Sequence, residues 1–113
     1  MKVKKLRSPA DWEKLRNSTK NEKELIIFKY SPFCPASRYI EHEFRDWCKK
    51  IDKNDINIVK VNVITARKVS DNIAEELQIR HESPQLIWLD KQLNVKWNAS
   101  HYSIDEKQLD LLL

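Results

Sequence analysis

The chain contains no glycine. Left-handed backbone is therefore costly wherever it occurs, and the sequence predicts turns built from Asn, Asp, Ser or Pro. Cysteine is scarce, with only Cys34 and Cys48. No apolar signal core follows the basic start Met1-Lys2-Val3-Lys4-Lys5, so secretion is not indicated and a cytoplasmic location is the expectation. In that setting two cysteines point away from a structural disulfide. No segment approaches the ~20 apolar residues of a membrane span. Basic residues form no run longer than a pair, and the net charge of +4 sets 21 Lys and Arg against 17 Asp and Glu. This balance reads as a solubility feature and not as a nucleic-acid surface. None of His42, His81 and His101 has metal-ligand spacing with a cysteine, so no metal site is expected.

What is present suits one domain over residues 1–113: 41% of residues are hydrophobic, and the 34% that are charged are mixed in sign. A short strand is expected around Val3 to Leu6. Ser8-Pro9-Ala10-Asp11 starts a helix: Ser8 caps, Pro9 suits the first helical position, and Asp11 stands near the place of a capping-box acid. Asn17-Ser18-Thr19 ends it. Glu24 to Tyr30 reads as a central strand buried on both faces. The next helix runs from about Pro35 to Ile51, with Ile40, Phe44, Trp47, Cys48 and Ile51 at three- and four-residue intervals. Ile56 to Val63 alternates as a strand, with an irregularity expected near Val59. Ala66 to Leu77 is helical, on the stripe Val69, Ile73, Ala74 and Leu77. Pro84 to Leu89, a turn at Asp90 to Asn94, and Val95 to Trp97 form a hairpin. A helix from Ile104 to Leu113 closes the chain, with Ser103 as its expected cap and Glu106 three residues on.

The β-α-β start implies parallel strands joined by a crossover, and the late hairpin adds an antiparallel strand. This order matches an α/β, thioredoxin-like fold: a central mixed sheet of four to five strands with helices on both faces.

Ser31-Pro32-Phe33-Cys34-Pro35-Ala36-Ser37 sits at the junction of the central strand and the helix after it. A helix N-terminus offers unpaired N–H groups and a partial positive charge, which favour the reactive thiolate form of a cysteine placed there. Pro35 suits the first turn because its missing N–H would have been unpaired anyway. Ser37 stands where a C-x-x-C motif would have its second cysteine. It can donate a hydrogen bond to Cys34 or act as an ordinary early-helix serine. Cys48 lies fourteen positions on, inside the same helix, which separates the two by about 20 Å. A disulfide needs Cα atoms within ~7 Å. Cys34 therefore works without a partner thiol in this chain, and a second thiol from elsewhere must release any mixed disulfide it forms. Arg67 and Lys68 open the third helix near the same pole, either as ligands for the carboxylates of a small thiol or as a solvated basic pair. His81 precedes Ser83-Pro84 and either meets a ligand or shapes the loop. In a thioredoxin-like frame a cis proline stands at the place of Pro84, facing the active cysteine. That leaves the backbone of Ser83 free to pair with an extended ligand.

Four stretches resemble the monothiol bacilliredoxins of the bacillithiol system. They are Phe28-Lys29-Tyr30-Ser31 leading to Cys34-Pro35-Ala36-Ser37; Arg67 with Val69-Ser70; His81-Glu82-Ser83-Pro84-Gln85; and Trp97-Asn98-Ala99-Ser100-His101-Tyr102. The chain departs from the usual pattern at Ala36 and Asn98. The resemblance implies a single catalytic cysteine, Cys34, flanked by Pro35 and Ser37, with Ser83, Pro84, Arg67 and His81 on the substrate side. It implies removal of bacillithiol from S-bacillithiolated client proteins, with bacillithiol as thiol co-substrate and no bound cofactor. The glycine pair with which glutaredoxins bind glutathione is missing. Two other readings stay open: an iron–sulfur cluster carrier, which Pro35 disfavours, and a non-catalytic thioredoxin-like binding module.

Overall fold

A computed structural model describes residues 1–113. In chain order the elements are β1 (Val3–Lys5), α1 (Pro9–Thr19), β2 (Glu24–Tyr30), α2 (Pro35–Lys50), β3 (Ile56–Asn62), α3 (Arg67–Leu77), β4 (Gln85–Leu89), β5 (Val95–Ser100) and α4 (Glu106–Leu112), with a 3-10 turn at His101–Ser103. One sheet takes the order β1-β3-β2-β4-β5. β3 runs parallel to β1 and β2, whereas β4 is antiparallel to β2 and to β5. The expected α/β mixed sheet with helices on both faces is the fold observed.

Strand periodicity divides the core into two. Ile26, Phe28 and Tyr30 of β2 join Ile56, Ile58, Leu86 and Trp88 on the face covered by Ile40, Phe44 and Trp47 of α2 and Leu109 of α4. Leu25 and Ile27 join Val59, Val61, Ile87 and Leu89 on the other face, against Trp12 of α1 and Val69 and Ile73 of α3. Phe28, Phe44 and Trp47 stack in series with centroids 4.7 and 5.9 Å apart, and Trp47 meets Trp88 edge-on at 6.0 Å. Burying each such ring contributes roughly 1.5–3 kcal/mol. The indole N–H groups lie in the core but find carboxylates at its rim. Trp12 donates to Glu76 (2.7 Å), Trp47 to Asp110 (2.9 Å) and Trp88 to Glu24 (2.6 Å). The first two bonds also tie α1 to α3 and α2 to α4.

Several local expectations change. β3 has no irregularity at Val59; Ile58 and Val59 are both buried because helices cover both faces. The register shift lies between Trp88 and Leu89, against β5. β4 begins at Gln85 and not at Pro84, and β5 continues to Ser100. Ser103 does not cap α4. Ile104 is drawn into the core in an extended conformation, and Asp105 becomes the cap, accepting from the Gln108 N–H at 3.0 Å. Ser8 does cap α1, accepting from the Asp11 N–H at 3.2 Å, while Asp11 reaches back to the N–H of Arg7 at 3.1 Å.

Left-handed backbone occurs at four residues, Asn21, Gln78, Leu93 and His101. Only Asn21 is of the expected turn types. At the end of α3, Gln78 (φ 53°) takes the position that favours glycine, so that its N–H and that of Ile79 reach the last carbonyls of the helix. Gln78 is exposed, so replacement loses no packing. Gln78→Gly is expected to raise stability by about 1 kcal/mol, the left-handed cost relieved. Equilibrium denaturation checks it, with Gln78→Val expected to lower stability.

Candidate active site

Strand directions gather four segments at one pole of the sheet. Tyr30 pairs with Asn62, and its carbonyl accepts the Val63 N–H at 3.0 Å, so β2 and β3 end together. Lys29 pairs with Gln85, so the antiparallel β4 begins where β2 ends. Continuing that register sets Pro84 level with Tyr30 and Ser83 level with Ser31. The His101 N–H donates to the Pro84 carbonyl at 2.9 Å, which brings in the end of β5.

Cys34 stands in the loop leaving β2, as the N-cap residue of α2, with its side chain making no cap hydrogen bond. It is half-buried and its thiol is free. The Arg38 N–H donates to its carbonyl at 3.0 Å, which starts the helix. Pro35 occupies the first helical position. Ala36 and Ser37 make no backbone hydrogen bond through their N–H groups, which belong to the unpaired first turn. Ser37 is fully buried, and its Oγ accepts the Ser31 N–H at 2.8 Å. Of the two readings for Ser37, the structure holds the local one: its hydroxyl pins the loop and makes no hydrogen bond to Cys34.

Cys48 lies in the last turn of α2 inside the aromatic cluster, 1% exposed. Burial pushes its thiol up to about 12, against a small opposing pull from the Met1 ammonium. It stays protonated near neutrality and is shielded from reagents. Alkylation of the folded protein at pH 7.5 with iodoacetamide is expected to modify one cysteine, Cys34. Labelling of both before denaturation, read by mass, would contradict this.

The Ser83–Pro84 peptide bond is cis. Pro84 is buried, and neither the N–H nor the C=O of Ser83 is hydrogen-bonded. Its Oγ is buried and also lacks a partner. A buried polar group without a partner costs about 1–3 kcal/mol, and such groups in native proteins mark places with another use. The Gln85 amide holds the preceding loop, donating to the Arg80 carbonyl at 2.9 Å. Arg67 opens α3 at this pole, its side chain 81% exposed and 4.0 Å from the Asp71 carboxylate.

His81 joins a cluster that the sequence reading did not single out. Lys29 is fully buried in β2. Its Nζ donates to the Ser70 carbonyl at 2.9 Å and lies 3.5 Å from His81 Nδ1, which is also 3.5 Å from Ser70 Oγ. One ammonium thus links β2, α3 and the loop leading to Ser83. When Lys29 donates, Nδ1 is the acceptor and the ring proton sits on Nε2. Burial, then the Lys29 charge, lowers the His81 pKa below its usual value, so the imidazole is neutral at pH 7. The signal in the sequence is a lone lysine within the apolar run Leu25-Ile26-Ile27-Phe28-Lys29-Tyr30, whose apolar members dominate its pattern.

Burial lowers Lys29 from 10.5 to about 8, with Asp71 opposing. The folded protein therefore releases this proton before the unfolded chain does, and stability rises as pH climbs from about 8 towards 10.5. The full contribution is on the order of 3 kcal/mol. Wild type should gain stability over Lys29→Met between pH 7.5 and 9.5 in urea unfolding. Parallel pH dependences for the two proteins would refute the assignment.

The comparisons agree with this geometry. Solved structures with the same fold include a protein described as having a thioredoxin fold, at 26% identity and a TM-score of 0.81 over 96% of this chain and 91% of that one. Thioredoxin from Fasciola hepatica matches at 19% identity and a TM-score of 0.72, over 96% of this chain and 94% of its own. Thioredoxin from Schistosoma mansoni matches at 17% identity and a TM-score of 0.75, over 99% and 96%. The family model described as monothiol bacilliredoxin BrxC matches residues 4–109. The chain therefore belongs to the monothiol bacilliredoxin family, a family of thiol redox proteins built on the thioredoxin fold.

Proposed function

We propose that this protein is a monothiol thiol–disulfide oxidoreductase that removes bacillithiol from S-bacillithiolated proteins in the cytoplasm. One observation supports this most: the half-buried, free thiol of Cys34 shares a pole with the unpaired backbone of Ser83, while the only other thiol is sealed in the core.

The Cys34 thiolate attacks the bacillithiol sulfur of the client's mixed disulfide. A new S–S bond forms to Cys34, the old one breaks, and the client cysteine leaves as a thiolate that takes a proton from water. Attack at that sulfur, and not at the client's, is what leaves the adduct on Cys34. A free bacillithiol thiolate then attacks the adduct. It restores Cys34 and leaves bacillithiol disulfide, so one free bacillithiol is consumed for each client thiol released.

The first-turn N–H groups of Ala36 and Ser37 favour negative charge on the sulfur as it attacks and as it leaves. Pro35 sets the helix start without adding a competing donor, and Ser37 keeps the loop in shape. Ser83 and Pro84 offer an extended ligand two backbone groups and a flat wall. His81 positions that wall through Lys29, and Arg67 is an exposed cation at the rim of the substrate side.

Incubation with a bacillithiolated client, followed by intact-mass analysis, is expected to move one bacillithiol adduct onto Cys34. Cys34→Ser should abolish transfer, and Cys48→Ser should retain it. An adduct on Cys48 alone, or brisk transfer from glutathionylated clients with none from bacillithiolated ones, would overturn the proposal.

A further inference from the structure

Where β1, β2 and β3 end lies a cavity of about 360 Å³. Lys5, Arg7, Lys60, Tyr30, Asn62 and Thr65 line it, and no acidic residue does. Its charge arrangement is unfavourable for the protein alone. Lys5 and Lys60 are direct partners across β1 and β3, and like charges placed directly opposite destabilise a sheet. Arg7 adds a third positive charge two residues after Lys5. None of the three appears in any of the ion pairs. Of the nearby carboxylates, Asp11 accepts the backbone N–H of Arg7 at 3.1 Å without pairing with its guanidinium, and Glu41, beyond Tyr30, pairs with Arg45 at 2.8 Å. Lys60 is held over the Tyr30 ring, 5.5 Å from its centroid. The Asn62 Oδ1 accepts the N–H groups of Ile64 and Thr65 at 3.0 and 3.2 Å. The walls are therefore fixed before any ligand arrives.

The cavity lies at the strand end from which the thiol loop leaves. Tyr30 forms part of its wall and is the last residue of β2. The turn after it folds back, the Cys34 N–H reaching the Ser31 carbonyl at 3.4 Å, so the backbone of Cys34 returns to within one residue of the strand end.

We propose that Lys5, Arg7 and Lys60 form the subsite for the carboxylate end of the small thiol, and so select a dicarboxylate-bearing thiol over an uncharged one. This deepens the function proposed above and rests on it. An arriving dianion neutralises the Lys5–Lys60 repulsion, so the charge that costs stability in the free protein becomes binding energy in the complex.

The test compares one client protein bearing either bacillithiol or 2-mercaptoethanol in mixed disulfide, with wild type and the double variant Lys5→Gln/Arg7→Gln. Both substituted side chains are exposed, so the fold should survive, and unfolding curves check this. The double variant should lose roughly tenfold in kcat/KM on the bacillithiol adduct, the size expected of two screened charge contacts. It should act normally on the mercaptoethanol adduct, and Lys5→Arg/Arg7→Lys should restore selectivity. Equal losses on both adducts, or no loss on either, would overturn the subsite while leaving the oxidoreductase reading intact. Failure of wild type on both adducts would sink that reading instead. The subsite is then judged by titration with L-malate alone: saturable amide shifts at Lys60 and Asn62 that vanish in the double variant uphold it, and their absence in wild type refutes it.

Discussion

The central strand β2 has hydrogen-bonded neighbours along both edges and helices over both faces. Every side chain from Leu25 to Tyr30 is buried, so the strand cannot slip by one residue without driving Lys29 and its apolar neighbours into the wrong layers. That rigidity passes to whatever leaves its end. The loop from Ser31 to Cys34 starts from a fixed strand, is pinned by Ser37, and runs into a helix anchored by Phe44 and Trp47. Cys34 is positioned by the most constrained part of the molecule, although it sits in a loop.

The same burial gives the two cysteines opposite chemistry. Helix α2 places one at its polar start and the other near its end, on the stripe facing the sheet. The first meets unpaired N–H groups and an open pole. The second meets aromatic rings and a low dielectric, which suppress ionisation. Lys29 faces a similar cost and meets it differently, through the Ser70 carbonyl and the His81 ring. It is a charged group held in the core, linking the central strand to the loop before Ser83.

Much of this was readable from residue order. The long elements declared themselves because their periods were unambiguous: a continuous apolar run for β2, and helical spacing for α2 and α3. The missing glycine had a less predictable outcome. Left-handed backbone falls instead on Gln78, which ends α3, on Leu93 in the turn between β4 and β5, and on His101, which opens the 3-10 turn after β5. The start of α4 differs from expectation for a related reason. Ser103 and Asp105 are both competent caps, and the choice fell to Asp105 only because Ile104 had to reach the core.

By itself, the sequence determined the strand–helix junction that bears Cys34, the spacing that denies it a partner in Cys48, and the family likeness in the segments around Ser83-Pro84. These are local properties, set by chain distance and residue type. Only the tertiary structure decided what surrounds them, because strand pairing brings together residues far apart in the chain. Pairing of β2 with β4 set Ser83 and Pro84 level with the start of the thiol loop, and pairing of β1 with β3 set Lys5 against Lys60. Closure of both faces turned Lys29 from one more polar residue into a buried cation touching His81.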